Sequence, residues 1–168
     1  MIMNQMQKMT QAAQQASELL QARGFLLVTA ESCSGGLIGA VCTEIAGSSS
    51  WFFGGVISYA NEAKIRGLSV KEETLSSFGA VSEQTVKEMC AGALQLGGDI
   101  SVAVSGVAGP GGGSPEKPVG CVYIGWQLRG QEAKVERFQF SGDRQAVRDA
   151  TVLAALHGVE EMLESGEK

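Results

Sequence analysis

Ser32 occupies the position of a candidate nucleophile in this chain of 168 residues. It follows the short apolar run at residues 25–30 and precedes a pair of glycines, so we expect it where a buried strand turns into a helix. The next backbone N–H groups would face the mouth of the sheet with the positive end of that helix behind them, which suits an oxyanion. These amides belong to Cys33, Ser34, Gly35 and Gly36. The position also fits a serine that only caps the helix, and both interpretations stay open.

Lys64 is the candidate general base. We expect it in a short helix after the second strand, and adjacent parallel strands would place it near Ser32. A lysine in a poorly hydrated pocket releases its proton more easily. Lowering its pKa from about 10.4 to about 7 or 8 requires roughly 3 to 5 kcal/mol of destabilisation of the charged form. Such a lysine could accept the serine proton. Taken by itself, Lys64 also has the features of a solvated surface lysine.

Cys33 is a competing nucleophile directly after Ser32. The neighbouring carboxylate of Glu31 would raise rather than lower the pKa of this thiol, which disfavours the reactive thiolate. The four cysteines of the chain show no CxxC spacing, so we expect free thiols and neither a zinc site nor a disulfide set. No metal and no cofactor are therefore expected.

His157 is the single histidine, so serine–histidine or cysteine–histidine chemistry would have to use it. Apolar residues recur with helical spacing over residues 143–163 and predict one long amphipathic helix. His157 lies beside the apolar stripe of that helix, a position that favours a side chain filling or flanking the core over a catalytic base. A hydrolase with this sequence would need another base.

A glycine-rich segment at residues 106–114 follows the third predicted strand. It matches neither the P-loop pattern nor the dinucleotide-binding fingerprint. Glycines allow consecutive backbone N–H groups to converge on an anion, and Lys117 lies just downstream. An anion-contacting loop and a merely irregular loop both remain possible.

Composition predicts one globular domain over residues 1–168. Hydrophobic residues make up 44% and charged residues 18% of the chain, which is typical of a buried core. The net charge of −5 includes no basic run, so nucleic acid is not an expected partner. The apolar runs are far shorter than the roughly 18 residues of a membrane span. The polar start of the chain lacks the apolar region of a secretory signal, so we expect a cytoplasmic protein.

The elements that must position these residues alternate between helix and strand. Strands are expected at residues 25–30, 56–60, 100–105, 119–128 and 132–140. Helices are expected at residues 10–23, from 37 onwards, 61–68, 71–78, 83–96 and 143–163. Early alternation and a late hairpin predict an α/β fold, a three-layer α/β/α sandwich with a mixed, mostly parallel five-stranded sheet. Ligands of open α/β sheets bind at the carboxyl ends of strands, where the glycines of this chain concentrate.

Seven motifs, taken in order, resemble those of the CinA C-terminal domain family over about residues 10–163. They lie at residues 29–36, 47–52, 59–64, 79–82, 105–112, 117–120 and 140–144. The resemblance implies a three-layer α/β/α fold with a mixed five-stranded sheet. It also implies metal-independent hydrolysis of the carboxamide of nicotinamide mononucleotide to nicotinate mononucleotide and ammonia, a step of pyridine nucleotide salvage.

The same resemblance assigns roles to individual residues. Ser32 would be the nucleophile and Lys64 its base, with Tyr59 near both. Ser105 holds the position of a substrate-contacting serine or threonine, and Gly106 follows it at the start of the glycine-rich loop. The phosphate of the substrate would be bound by Arg144, with Arg148 as the second choice.

Two rival classes remain at this point, and a related amidase with another small-molecule amide substrate also stays open. A non-catalytic nucleotide-binding module would keep the glycine-rich loop and Arg144 but would not need Ser32 or Lys64. A competence- or DNA-damage-related interaction role, suggested by the naming of the family, predicts a protein partner. The favoured partner is a small-molecule substrate, with no nucleic acid and no membrane, in a homo-oligomer. The aromatic segment at residues 51–53 fits either an interface or the core.

Overall fold

The computed structural model describes residues 2–165 and contains one mixed sheet with helices on both faces. The strands are β1 (Leu27–Glu31), β2 (Phe52–Ile57), β3 (Ile100–Gly106), β4 (Cys121–Leu128) and β5 (Lys134–Gln139). The helices are α1 (Gln5–Arg23), α2 (Leu37–Thr43), α3 (Asn61–Leu68), α4 (Glu72–Phe78), α5 (Glu83–Leu96) and α6 (Arg144–Ser165). A short 3-10 turn at Ser48–Ser50 precedes β2.

The sheet has the strand order β2-β1-β3-β4-β5. β1 is parallel to both of its neighbours, whereas β4 is antiparallel to β3 and to β5. Four of the described strands therefore run in one direction and β4 runs against them, as the predicted hairpin requires. The prediction of an α/β/α sandwich with a mixed, mostly parallel five-stranded sheet is confirmed. The carboxyl ends of β1, β2 and β3 meet at one edge of the sheet, which is the ligand-binding edge of such folds.

Each face of the sheet buries its own hydrophobic cluster. One face packs against α1, α2 and α6, where Leu20, Ile38 and Leu156 are fully buried. The other face packs against α3, α4 and α5, where Val86 and Met89 are fully buried. β1 is buried along its whole length because both faces of this central strand are covered. The backbone that leads to Ser32 is thus buried between the two layers of helices.

Helix α1 begins five residues earlier than predicted. Asn4 caps it with a capping box, in which its side chain accepts from the Gln7 amide while the Gln7 side chain accepts from the Asn4 amide. The polar residues of this first turn carry no apolar periodicity, which explains why the pattern at residues 10–23 missed them. The predicted end is confirmed, since Gly24 takes a left-handed conformation with φ of 67°.

The second strand begins and ends earlier in the chain than the prediction of a strand at residues 56–60, which is wrong in its bounds. The strand spans Phe52–Ile57, and residues 58–60 form the loop that leads into α3. Gly55 weakens the strand signal, yet a Cβ there would collide with Thr29 of β1, so the close approach of the two strands requires glycine. The aromatic segment at residues 51–53 is divided, because Trp51 is buried whereas Phe53 is 46% exposed.

Candidate active site

Ser32 and Lys64 are in hydrogen-bond contact at the carboxyl edge of the sheet. Ser32 directly follows β1, and its backbone N–H donates to the carbonyl of Val104 in β3. Lys64 lies in α3 with only 1% of its surface exposed. Its Nζ atom lies 3.0 Å from Ser32 Oγ, 2.8 Å from the Ser58 carbonyl oxygen and 3.1 Å from the Tyr59 carbonyl oxygen.

Burial lowers the pKa of Lys64 to about 8, because the low-dielectric surroundings disfavour the charged amine. The nearby Cys33 acts in the opposite direction and raises the pKa slightly. No carboxylate forms an ion pair with Lys64 within residues 2–165. The two partners of Lys64 other than Ser32 are carbonyl groups, which carry no negative charge to stabilise the charged amine. With a pKa of about 8, a substantial fraction of the amine is therefore uncharged near pH 8.

Cys33 lines the same cavity, but its thiol is held in the protonated form. Burial raises its pKa to about 11, hydrogen bonding to its own backbone lowers it, and the carboxylate of Glu31 raises it further. Glu31 raises the pKa of the thiol as predicted, but burial is the larger cause. The serine hydroxyl beside the neutral amine is therefore the better candidate nucleophile.

The turn after Ser32 uses part of its amides inside the protein. The Gly35 N–H donates to the Ser32 carbonyl, and the Gly36 N–H donates to the side chain of Glu31. No other residue within 2–165 accepts from the amides of Cys33 and Ser34, although the Cys33 N–H also lies against its own sulfur. Of the four amides expected to face an anion, only these two make no hydrogen bond to another residue of this range.

A cavity of about 270 Å³ opens at this edge of the sheet. Seven of the residues predicted for the site line it, and residues 107–109 and 111–112 together with Ala80 and Val81 complete the wall. The seven are Ser32, Cys33, Tyr59, Lys64, Ser105, Gly106 and Arg144. Three others, Ser34, Gly35 and Gly36, lie in the turn beneath the cavity rather than in its lining.

Arg144 and Arg148 take different places although one helical turn separates them. Arg144 lines the cavity, where it donates to the Gly109 carbonyl at 2.7 Å and to the Tyr59 hydroxyl at 3.1 Å. Arg148 is not part of the lining and donates to the Ser34 carbonyl at 2.9 Å. Lys117, which the sequence placed near the glycine-rich loop, donates to the Phe78 carbonyl at the end of α4.

Sequence reasoning missed the structural role of Glu31 and the contribution of Ser58. Glu31 was considered only for its effect on Cys33, although an acidic residue at the end of a buried strand and before a helix is a signal for a helix cap. No sequence pattern marks Ser58, because it contacts Lys64 through its backbone carbonyl, a group that every residue has.

The remaining candidate groups lie elsewhere in the part of the chain that the structure describes. His157 is exposed on α6 and does not line the cavity. No three His, Cys, Asp or Glu side chains of residues 2–165 come together as metal ligands would. None of the described helices combines the length and apolar character needed to cross a membrane.

The fold and the cavity define a class of protein, an α/β/α-sandwich domain with a buried serine–lysine contact at the carboxyl edge of its sheet. The CinA C-terminal domain matches residues 9–163, and the chain belongs to that family.

Relatives with curated names cover most of this chain. It is 48% identical over 150 residues to the nicotinamide-nucleotide amidohydrolase PncC of Escherichia coli strain K12, a match that covers 89% of this chain and 91% of that protein. It is 52% identical over 130 residues to the PncC of Enterobacter agglomerans, covering 77% and 79%. A CinA-like protein of Kosmotoga olearia is 48% identical over 146 residues, which is 86% of this chain but only 35% of that longer protein.

Solved structures agree with the fold. The competence/damage inducible protein CihA of Agrobacterium tumefaciens superposes with a TM-score of 0.88 at 41% identity and covers 94% of this chain and 96% of that one. A CinA superfamily protein of Klebsiella pneumoniae superposes with a TM-score of 0.90 at 39% identity and covers 94% and 98%. The arrangement of strands and helices is therefore shared across the family.

Proposed function

We propose that this protein hydrolyses the carboxamide of nicotinamide mononucleotide to nicotinate mononucleotide and ammonia, with Ser32 as nucleophile and Lys64 as general base. The observation that carries the proposal is the 3.0 Å contact between Lys64 Nζ and Ser32 Oγ in the wall of a cavity. The relatives named nicotinamide-nucleotide amidohydrolase support the substrate. The reaction would serve pyridine nucleotide salvage.

The contacts of Lys64 suit a base that acts on Ser32. When the amine is neutral, its two N–H groups can donate to the carbonyls of Ser58 and Tyr59, which directs the lone pair at the Ser32 hydroxyl. Ser32 Oγ then attacks the carboxamide carbon while its proton passes to Lys64 Nζ. The product of this step is a tetrahedral intermediate with a negative oxygen.

The free amides of Cys33 and Ser34 are the proposed donors to that oxygen. One such donor contributes about 3 to 4 kcal/mol where it has been removed from other enzymes. Ser105 also lines the cavity, and its hydroxyl has no hydrogen-bond partner within residues 2–165, so we assign it to substrate contact. Gly106 beside it allows β4 to approach closely, because a Cβ there would collide with Val122.

Lys64 would return its proton to the departing nitrogen as the carbon–nitrogen bond breaks. Ammonia leaves and an ester between the nicotinate carbonyl and Ser32 remains. Water then attacks this ester with Lys64 again as base, which releases nicotinate mononucleotide and restores the serine hydroxyl. One water is consumed for each amide bond cleaved.

Arg144 is the proposed phosphate ligand. A guanidinium has five N–H donors, and the contacts with Gly109 and Tyr59 occupy two of them. The remaining donors can form charge-assisted hydrogen bonds to a phosphate in the cavity. Tyr59 would orient this guanidinium through its hydroxyl.

Ammonia release from the purified protein tests the proposal. Nicotinamide mononucleotide, NAD and free nicotinamide are assayed side by side, and only the mononucleotide is expected to give rapid release. Ser32→Ala and Lys64→Ala are expected to abolish release while substrate binding, followed by calorimetry, stays measurable. Lys87→Ala, which removes an exposed lysine on α5, is the matched control and should keep full activity.

Two results would contradict the proposal. Turnover retained in Ser32→Ala or Lys64→Ala would refute the roles of these residues. Binding of the mononucleotide without any ammonia release from the unaltered protein would instead support the non-catalytic binding module.

A further inference from the structure

Glu31 has a buried carboxylate with four hydrogen bonds and no basic partner among the described residues. Only 2% of the residue is exposed. One oxygen accepts from the Ser34 hydroxyl at 2.6 Å, the Gly36 N–H at 3.2 Å and the Ile38 N–H at 2.9 Å, and the other accepts from the Gly39 N–H at 2.9 Å. The carboxylate thus holds both the turn after Ser32 and the first turn of α2.

The backbone of the same residue reaches the other half of the site. The Glu31 carbonyl accepts from the Ser58 N–H at 2.7 Å, and the Ser58 carbonyl accepts from Lys64 Nζ at 2.8 Å. Lys64 in turn contacts Ser32, the residue that follows Glu31. Glu31 therefore belongs to a closed ring of contacts with Ser58, Lys64 and Ser32.

We propose that Glu31 is a positioning residue that fixes the turn after Ser32, so that the serine hydroxyl stays against Lys64 and the amides of Cys33 and Ser34 stay free for the oxyanion. This inference rests on the proposed amidohydrolase function. It assigns Glu31 no contact with substrate, since the residue does not line the cavity.

The geometry of the turn explains why a carboxylate is needed there. Donors from Gly36 and Ile38 converge on one oxygen, and Gly39 donates to the other. A carboxylate accepts at both oxygens, whereas an amide of the same shape accepts at one end and donates at the other. Glutamine would therefore leave at least one buried donor facing another donor, and the turn would have to move.

Glu88 offers a matched control in another part of the molecule. Its carboxylate also holds the start of a helix, accepting from the Lys71 N–H at 2.8 Å and from the Thr74 hydroxyl at 2.7 Å. It lies outside the lining of the cavity. Loss of this cap should affect folding stability without touching the geometry of Ser32.

The experiment compares Glu31→Gln, Glu88→Gln and the unaltered protein. Steady-state turnover of nicotinamide mononucleotide gives kcat and KM, and a fluorophosphonate reagent measures the reactivity of Ser32 by forming an Oγ–phosphorus bond with loss of fluoride. For Glu31→Gln we expect kcat and the labelling rate to fall by about 100-fold, the scale of a small misplacement of a reacting group. KM should change little. Glu88→Gln should lower the melting temperature but keep both rates.

Ser34→Ala keeps the test valid if Glu31→Gln does not fold. It removes one hydrogen bond to the carboxylate and should lower kcat by about 10-fold. Wild-type rates in the folded Glu31 and Ser34 variants, or equal losses in Glu88→Gln, would overturn the positioning role. Labelling of Ser32 that depends on Glu31, without turnover of the mononucleotide, would overturn the proposed substrate alone. An unaltered protein that is neither labelled nor active would overturn both.

Discussion

The carbonyl oxygen of Ser58 lies 2.8 Å from the Nζ atom of Lys64, six residues further along the chain. Together with the Tyr59 carbonyl, this contact takes up two of the amine hydrogens and leaves the third position directed at Ser32. The loop between β2 and α3 therefore orients the lysine through backbone atoms. This arrangement uses the carbonyl of residue 58 rather than its side chain, and it ties the base to the end of a strand adjacent to β1.

The activity should depend on pH through Lys64. Because the base must be uncharged and its pKa is lowered to about 8, kcat/KM is expected to rise with pH and to reach half of its maximum near pH 8. Assays of the unaltered protein between about pH 6 and about pH 9 check this. A profile that is flat or falls across this interval would contradict the role of Lys64 as base. The control variant Lys87→Ala should keep the inflection, because it leaves Lys64 in place.

The free energy of unfolding should also depend on pH through Lys64. The pKa of its amine is about 8 in the folded protein and 10.5 ordinarily, so the unfolded chain binds more protons between these values and the free energy of unfolding rises with pH there. Between pH 7 and pH 9.5 this contribution amounts to about 2 kcal/mol. Urea unfolding of the unaltered protein and of Lys64→Met at both pH values isolates it.

The comparison with Lys64→Met removes the contribution of the thiols. Burial raises the pKa of Cys33 to about 11 and that of Cys42 and Cys90 to about 12, which makes stability fall above the ordinary thiol value of 9.0. Cys42 and Cys90 contribute equally to both proteins, whereas the pKa of Cys33 also depends on Lys64, so Cys33→Ala is introduced into both. An equal pH dependence in the two proteins would show that Lys64 does not titrate as inferred.

Substitution of Arg144 should weaken substrate binding, whereas substitution of Arg148 should slow catalysis. Arg144→Gln is expected to raise KM for nicotinamide mononucleotide by about 10-fold to 100-fold, because charge-assisted hydrogen bonds to the phosphate are lost. The variant should also lose the preference for the mononucleotide over nicotinamide riboside, which has no phosphate. Arg148→Gln should keep that preference and lower kcat, because Arg148 contacts the Ser34 carbonyl in the turn. The reverse pattern would assign the phosphate to Arg148.

Cys33 should be dispensable as a side chain. The pKa of its thiol is raised to about 11, so the thiolate is scarce at neutral pH, and the proposed contribution of the residue is its backbone N–H. Cys33→Ala keeps that N–H and is expected to retain kcat within a few-fold, whereas Ser32→Ala loses turnover. Alkylation by iodoacetamide gives a second readout, and we expect slow modification at pH 7. Loss of turnover in Cys33→Ala would favour a thiol nucleophile.

Local signals in the sequence were sufficient for most helices and for the topology of the sheet. The predicted helix at residues 61–68 matches α3, and Ser82 caps α5 as expected, since its hydroxyl accepts from the Thr85 amide. Glycines and capping residues act within a few positions of the element that they end, so one sequence reveals them. The start of β2 was missed because glycine, required there by the approach of Thr29, has no strand preference of its own.

The sequence by itself determined which residue types stand at the carboxyl edge of the sheet, with Ser32 after a buried strand and Lys64 in the helix that follows the next strand. The tertiary structure decided which of them can act. Burial of Lys64, the free amides of Cys33 and Ser34, and the separation of Arg144 from Arg148 all depend on contacts between residues far apart in the chain. The reason is physical, because desolvation and hydrogen-bond occupancy are properties of the packed surroundings and have no local pattern in the sequence.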